Sequence, residues 1–528
     1  MQALRAIATA ASPLPSASRA NRRRGPAAAA PLLATVPAAA AGLALAAAVL
    51  LAAASPARSA AGPLRWGGRL EGYGIVRWNG DTPSQDPLAR LDLWAEQKLA
   101  PGWRWRLSTI GRAGGPPVDP RVGAFDFDRT FQNLAPSLEL DDAFVEWRGD
   151  DGSLKVGNQK FFWGRLDATR PNDLLNPRQY EDPFLDDERE QKIAVPAVAA
   201  TWLFPASWRS FLPEESSLTL AWEPIAVPWR FPLSRERWFA PAALAAGSVS
   251  VGPVPGTPCP CDVSVEQTLR NGPPPARRFE NGNVGLRFAG RTRGADWAVA
   301  FFDGVDPTPN FDVPVRLRPG ALGLPGAGTP LPVAAETSLV PAYRRFQSIG
   351  ADGARAFGPF TVRAEAAFRF GRPWPFAVDQ VTRRILADPS LVQSLLRGDT
   401  VDVPSWVERD AVEWGVGADT IFHGWMPLLE LYQVAILHND VRLLVRDVDT
   451  RLTANLRRRW FSDRVESQLV FVEGFEGDYR LLRAQLAWDA TDGLQFVAGI
   501  LGIWGDRDTL IGQYAGRGEF YGRIRYSF

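Results

Sequence analysis

The 528-residue chain is poor in the residues that most chemistry needs: two cysteines, two histidines and two methionines. Cys259 and Cys261 flank Pro260. Two thiols alone cannot complete a tetrahedral zinc site, and a disulfide across one residue would be strained, so neither is assigned a role. A Ser–His–acid hydrolase needs a histidine held beside a serine and a carboxylate. Nothing in the sequence places His423 or His438 so, and no enzyme activity is expected. No calcium-binding loop of the usual spacing occurs. The acidic run Asp182 to Glu190 reads either as clustered carboxylates around a cation or as a solvated loop paired to Arg178 and Arg189. No metal and no cofactor is expected. Beyond residue 54 there is no stretch of eighteen consecutive apolar residues. A membrane-embedded form of this chain would therefore cross as strands.

What is present begins with the N-terminus. Arg19, Arg22, Arg23 and Arg24 precede an Ala/Leu/Val run from Leu32 to Ala54, and Ser55, Pro56, Ala57, Arg58, Ser59, Ala60 and Ala61 follow. Basic, apolar, then small residues is the order of a secretory signal, with cleavage expected after Ser59 or Ala61. The run is nearly long enough to be a membrane anchor instead, but it is built of Ala rather than Leu. The division read from this is 1–61 signal peptide and 62–528 mature chain. Residues 1–61 carry six Arg and no acid, which leaves 53 basic against 58 acidic residues beyond them. That balance does not suggest a nucleic-acid partner. Lysine occurs four times, at 98, 155, 160 and 192, so the positive charge is nearly all Arg. Tryptophan is abundant at 20, as in proteins that meet a membrane–water interface.

The strongest pattern is a period of two. Phe360, Val362, Ala364, Ala366, Phe368 and Phe370 alternate with Thr361, Arg363, Glu365, Ala367 and Arg369. The same alternation recurs near Trp103, at 412–422, 464–471 and 480–489, where a helix would show a period near 3.6. Eighteen segments read as strands: 64–78, 88–99, 102–114, 138–148, 153–163, 193–204, 217–226, 279–292, 295–304, 343–357, 360–371, 409–422, 425–438, 448–461, 464–474, 479–489, 494–504 and 517–528. Links from even to odd strands are mostly short and carry Gly, Asp, Asn or Pro, as tight hairpins require. Links from odd to even strands include the longest: 115–137, 164–192, 227–278, 305–342 and 372–408. Link 205–216 is longer than its class. Several long links are rich in Pro and Gly (253–260, 273–275, 320–332), and are expected to be non-helical, either solvated or folded into the interior. The fold class is all-β: a transmembrane antiparallel β-barrel of about 18 strands, between 16 and 18, with short periplasmic turns and long extracellular loops.

The last strand alternates too: Phe520, Gly522, Ile524 and Tyr526 against Tyr521, Arg523, Arg525 and Ser527, ending on Phe528. This ending resembles the C-terminal signal of Gram-negative outer-membrane β-barrels. The resemblance implies that Phe520, Ile524, Tyr526 and Phe528 form an insertion signal read by the barrel-insertion machinery. The segment VGNQKFFWGRLDATRPNDLLNP, from Val156 to Pro177, looks like one found in porin-like and alginate-export-like outer-membrane barrels. By that resemblance its loop, carrying Arg165, Asp167, Arg170, Asp173 and Asn176, packs near the pore and helps set its width. Read from the residues alone, the same loop is one ordered by internal Arg–Asp pairs.

With apolar faces outward, Arg104, Arg106, Arg363, Glu365, Arg369, Arg451, Arg457, Arg459, Glu466, Arg483, Arg523 and Arg525 line the interior. Rings of Arg favour anions, whereas Arg–acid pairs on neighbouring strands would cancel the field and leave a wet wall. The expected function is an outer-membrane channel, sitting in outer-membrane lipid, that passes polar solutes: small anionic ones entering in the porin-like case, an acidic polysaccharide leaving in the alginate-export-like case. The alternative is a closed-lumen outer-membrane barrel acting as a binding or scaffold protein through its long loops.

Overall fold

The computed structural model describes residues 62–77, 88–114, 137–180, 184–185, 187–208, 211–230, 247–251, 261–269, 279–317, 331–376, 384–385, 387–441, 443–506, 509 and 511–528. The segment read as a signal peptide lies outside them, as do 253–260 with Cys259, 273–275 and 320–330. In chain order the strands are β1 (Arg65–Arg77), β2 (Leu88–Ala100), β3 (Trp103–Gly114), β4 (Ser137–Gly149), β5 (Gly152–Gln159), β6 (Val195–Leu203), β7 (Glu214–Glu223), β8 (Gly247–Val251), β9 (Cys261–Leu269), β10 (Asn283–Thr292), β11 (Ala295–Val305), β12 (Asn310–Leu317), β13 (Leu331–Ala342), β14 (Arg345–Phe357), β15 (Phe360–Pro375), β16 (Val401–Pro404), β17 (Trp406–Thr420), β18 (Trp425–Ile436), β19 (Val448–Trp460), β20 (Val465–Gly474), β21 (Tyr479–Asp489), β22 (Leu494–Gly505) and β23 (Glu519–Ser527).

Eighteen of these form one closed antiparallel sheet. Each strand pairs with the next around the wall, β8, β9, β12, β13 and β16 being skipped, and β23 pairs back onto β1 from Arg69↔Ser527 to Arg77↔Glu519. Every strand read from the sequence has its counterpart, with ends shifted by a few residues. The hairpins follow turn chemistry. The β10–β11 link is Arg293-Gly294, with φ of 50° and 75°, the doubly left-handed backbone of a two-residue hairpin turn.

Alternation decides which side of the wall each residue meets. Trp66, Leu70, Leu220, Val299, Ile349, Val416, Leu429, Leu486 and Ile524 are exposed, whereas Glu71, Glu365, Arg369, Glu413, Glu430 and Arg523 are buried. This inverts the rule for soluble proteins, where charge faces out and large apolar groups face in. An exposed apolar surface running around a whole barrel marks a wall made for lipid.

The interior differs from the expected uniformly polar lining. On β6, β7, β11 and β14 the inward residues Ala197, Ala221, Ala300, Phe302 and Phe346 join an apolar core with Phe161, Trp163, Leu175 and Ile193 of the β5–β6 connection. A second patch on β1 and β21–β23, including Tyr73, Ile75, Leu481, Val497 and Tyr521, receives Phe184 and Leu185 of the same connection. Over these stretches apolar residues stand on the inner face as well, because one side of the wall meets lipid and the other meets packed protein.

The long links also contain more structure than expected. β8, β9, β12, β13 and β16 form a separate five-stranded sheet in the order β16-β12-β13-β9-β8. Val313, Val315, Val401 and Val403 pack there with Ile385 and Leu395. Leu395 belongs to the helix Pro389–Leu396, which starts on Asp388, whose carboxylate accepts from Ser390 N at 2.9 Å. The expectation that the long links are non-helical is corrected for link 372–408, where a Pro at the first helical position is compatible with a helix, and short alternating pieces such as Val401-Asp402-Val403-Pro404 pair across three different links.

At the seam, Phe528 N donates to Gly68 O and Gly68 N donates to Phe528 O, each at 3.0 Å. The Phe528 ring meets Trp66 edge-on at 6.2 Å. Deleting Phe528 removes both bonds, at a cost of about 1 kcal/mol each, while Phe528→Ala keeps both and loses the ring. The deletion is expected to lower the urea midpoint of the detergent-solubilised protein more than the alanine variant does. Equal effects would show that the ring, not the main-chain closure, stabilises the seam.

Candidate functional site

The β5–β6 connection crosses the lumen. It leaves β5 at Lys160, turns at Gly164 and makes its first contacts on the far wall at β15 and β18. Gly164 has φ 85°, and a Cβ there would lie 2.5 Å from Glu365 Oε1, so both backbone and space call for glycine. The wall yields in turn: a Cβ on Gly350 would lie 1.9 Å from Asn172 Oδ1.

Two wall carboxylates receive the loop. Glu365 on β15 accepts from the main-chain N–H groups of Arg165 at 2.9 Å, Leu166 at 3.4 Å and Asn172 at 2.6 Å. Glu430 on β18 accepts from Asp167 at 2.9 Å, Ala168 at 3.1 Å and Thr169 at 3.0 Å. Around them, Arg165 Nε donates to Asp352 at 2.8 Å, and Asp167 lies 3.6 Å from Arg363, which also pairs with Asp419. Arg369 is 1% exposed. It forks onto Glu413 at 3.0 and 2.9 Å, donates to Ser348 at 2.7 Å and reaches the Pro171 carbonyl.

The other loop residues singled out by sequence tie the loop to itself. Arg170 pairs with Glu188 at 2.8 Å, and Asp173 pairs with Lys192 and accepts from Trp163 N at 3.3 Å. Asn176 donates to Gln159 O at 3.1 Å and Ile193 O at 2.8 Å and accepts from Phe161 N. The five residues thus divide: Arg165 and Asp167 reach the wall, and Arg170, Asp173 and Asn176 knit the loop together.

The described end of the acidic run is ordered around a buried Glu190 rather than wholly solvated. Residues 181–183 and 186 lie outside the description, but Asp187 caps a one-turn helix, Glu188–Gln191, through a reciprocal capping box. The cap points Glu190 into a cage of wall arginines: Arg69 at 2.7 Å, Arg525 at 3.6 Å and Arg523 at 3.9 Å. Arg189 reaches Asp142 at 3.2 Å, and Arg178 lies 3.8 Å from Glu188. Burial opposes ionisation of Glu190, but Arg90, Arg69, Arg525 and Arg523 together outweigh it and hold the carboxyl at about 2.

The remaining sequence-selected residues sit on the inner face. Arg104 pairs with Glu146, Arg106 with Glu96 at 3.1 Å, Arg451 with Asp449 at 3.3 Å and Arg459 with Glu466 at 3.1 Å. Arg525 donates to Glu71 at 2.6 Å, with Arg523 3.7 Å from the same carboxylate. Arg483 donates to the Phe184 carbonyl at 2.7 Å. Among the described residues Arg457 has no ion pair. It lines a cleft of about 310 Å³ between Leu185, Asp187 and Glu190 of the loop and the β19–β23 wall. Across that wall runs a row of neutral polar groups: Tyr521 Oη donates to Gln485 at 3.0 Å, Gln485 to Gln468 at 2.9 Å, and Gln468 to Asn455 at 3.1 Å.

The sequence reading did not single out Glu430, Asp352 or Lys192, and named Glu190 only as the end of the acidic run. A signal existed for Glu430, a lone acid among Leu428, Leu429, Leu431 and Tyr432 at an inward position. None existed for the partners, because they are set by which wall the loop reaches. Of the chain ends, Phe520, Ile524, Tyr526 and Phe528 share the outward face of β23, all about half exposed. His423 and His438 stand at opposite ends of β18.

No family model matches the chain, and no curated protein matches it. Solved structures with a similar arrangement include OmpF of Salmonella typhi in complex with daunomycin (10% identity, 88% of this chain and 97% of that chain covered, TM-score 0.40). Others are OccAB1 of Acinetobacter baumannii (6%, 88% and 96%, TM-score 0.46) and OccK2 of Pseudomonas aeruginosa in complex with glucuronate (9%, 88% and 98%, TM-score 0.45). At these identities no site residue transfers to this chain.

The Glu190 cage makes the loop's attachment pH-dependent. A carboxyl held below its unfolded value stabilises the folded form fully above about 4.5, and the contribution is lost as pH falls through about 2. The unfolding temperature of the solubilised protein is therefore expected to fall across that window, and Glu190→Gln to flatten the fall. An equally steep fall in the variant would assign the effect to other carboxylates.

Proposed function

We propose that this chain is a Gram-negative outer-membrane channel for small polar solutes, with a preference for anions. The observation that carries this reading is the inverted wall: a closed barrel, apolar outside and charged inside, with a polar cleft left beside a loop that crosses its lumen. Such a barrel satisfies its main-chain groups without a free edge, which lipid demands. In this reading the short turns face the periplasm and the long loops face outward.

The solute passes between the loop and the β19–β23 wall. The opposite side is closed by the apolar core around Trp163 and Phe302. Most inward arginines are matched by acids, so their fields largely cancel. Arg457 supplies the uncancelled charge beside the cleft, and the amide row offers paired donors and acceptors to hydroxyl-bearing solutes. The reading takes small solutes rather than an acidic polysaccharide as cargo, because the loop spans the lumen and is fixed on both walls. It assigns the protein no reaction.

The test is conductance in planar bilayers across a KCl gradient. The native protein is expected to conduct with a reversal potential on the anion side. Arg457→Glu is expected to move that potential toward cations by a few-fold change in permeability ratio, with little change in conductance. A protein that inserts but never conducts would favour the closed-lumen binding barrel.

A further inference from the structure

The loop is held to the β15–β18 wall in an unusual way. Six main-chain N–H groups between Arg165 and Asn172 converge on two carboxylates, three on Glu365 and three on Glu430. Both side chains come from the wall, at 3% and 1% exposure. A carboxylate offers several lone pairs and no donor, so it can take three N–H groups at once. A glutamine in its place would offer one oxygen and turn an NH2 group toward main-chain donors. The loop's own side chains are left to other partners: Arg165 to Asp352, and Asp167 beside Arg363.

We propose that Glu365 and Glu430 are the positioning residues of the aperture. By gripping main-chain amides they fix how far the segment 165–172 stands from the β15–β18 wall, and hence how much space remains on the β19–β23 side. Leu166, fully buried, lies against the wall where a Cβ on Gly415 would come within 2.7 Å of it. The segment is therefore pressed flat against the wall, and released it has one direction to move, toward the cleft. The aperture is thus set by two wall residues far from it in sequence, and loop side chains are free to differ without changing its width. This inference rests on the channel reading above, since an aperture matters to a conduit.

The experiment compares full-length Glu365→Gln, Glu430→Gln and Thr169→Val in planar bilayers, with trypsin cleavage after Arg165 as a second readout on the solubilised barrel. The native protein is expected to hold one current level and to resist cleavage there. Each Gln variant is expected to flicker between at least two levels and to be cut several-fold faster. Thr169→Val, which keeps its main-chain donor, is expected to behave as native. Glu365→Asp and Glu430→Asp keep the charge on a shorter arm, and each is expected to restore a single level with altered conductance. If a Gln variant does not fold, the Asp variants carry the test, and native conductance in both overturns the proposal. Folded Gln variants with one native level and native protease resistance also overturn it. A native protein that never conducts sinks the channel reading, while the protease result still decides the latch.

Discussion

Closure of the sheet is the constraint on which the rest depends. With β23 paired to β1, the main-chain donors and acceptors of the wall find partners along all eighteen strands. An open sheet would leave two edges of unpaired polar groups, and in lipid each such group costs several kcal/mol. Once the wall is closed, strict alternation sends one set of side chains to the outside and the other to the lumen. Two local irregularities then redirect charge. Opposite Ser108, β4 carries both Asp141 and Asp142 where one residue would fit, and both turn inward, to Lys160 and Arg189. Near Gly371, with φ 58°, a bulge on β15 brings Arg369 and Arg372 to the same carboxylate, Glu413.

The crossing loop is folded by two forces of different kind. Apolar residues seat its root and its tip: Phe161, Trp163, Leu175 and Ile193 at one end, Phe184 and Leu185 at the other. Between them, charge-assisted hydrogen bonds to Glu365 and Glu430 hold the backbone, and the arginine cage around Glu190 holds the short helix. The charged contacts fix register, because a buried carboxylate tolerates few alternative arrangements of its donors. The neutral row from Tyr521 to Asn455 is left on the facing wall, where the cleft remains open to water. That row needs room as well: a Cβ on Gly499 would lie 2.3 Å from the Tyr521 ring.

How much of this was legible depends on whether the signal was local. The alternation of Phe360 to Phe370 names a strand and its two faces without reference to any partner, and the inward set Arg363, Glu365 and Arg369 follows directly. At Ala298 to Phe302 the alternation fades, because both faces are covered. That loss was itself a signal that something packs inside the barrel, but it does not say what. The strands of the five-stranded sheet lie in links rich in Pro and Gly, two of them (β8 and β16) are only five and four residues long, and they pair across links far apart in the chain, as β13 does in parallel with β9. No window of local sequence contains that information.

The sequence by itself determined the number of barrel strands, their inward and outward sets and the division into short turns and long links, since each follows from side-chain period and turn chemistry within a few residues. Only the tertiary structure decided that the β5–β6 link crosses the lumen, that Glu365 and Glu430 receive its backbone, and that Arg457 stands beside the cleft without an ion partner among the described residues. The physical reason is range. Periodicity is a property of neighbours in the chain, whereas a carboxylate more than 190 positions away becomes a loop's anchor only when the closed wall brings it across the lumen.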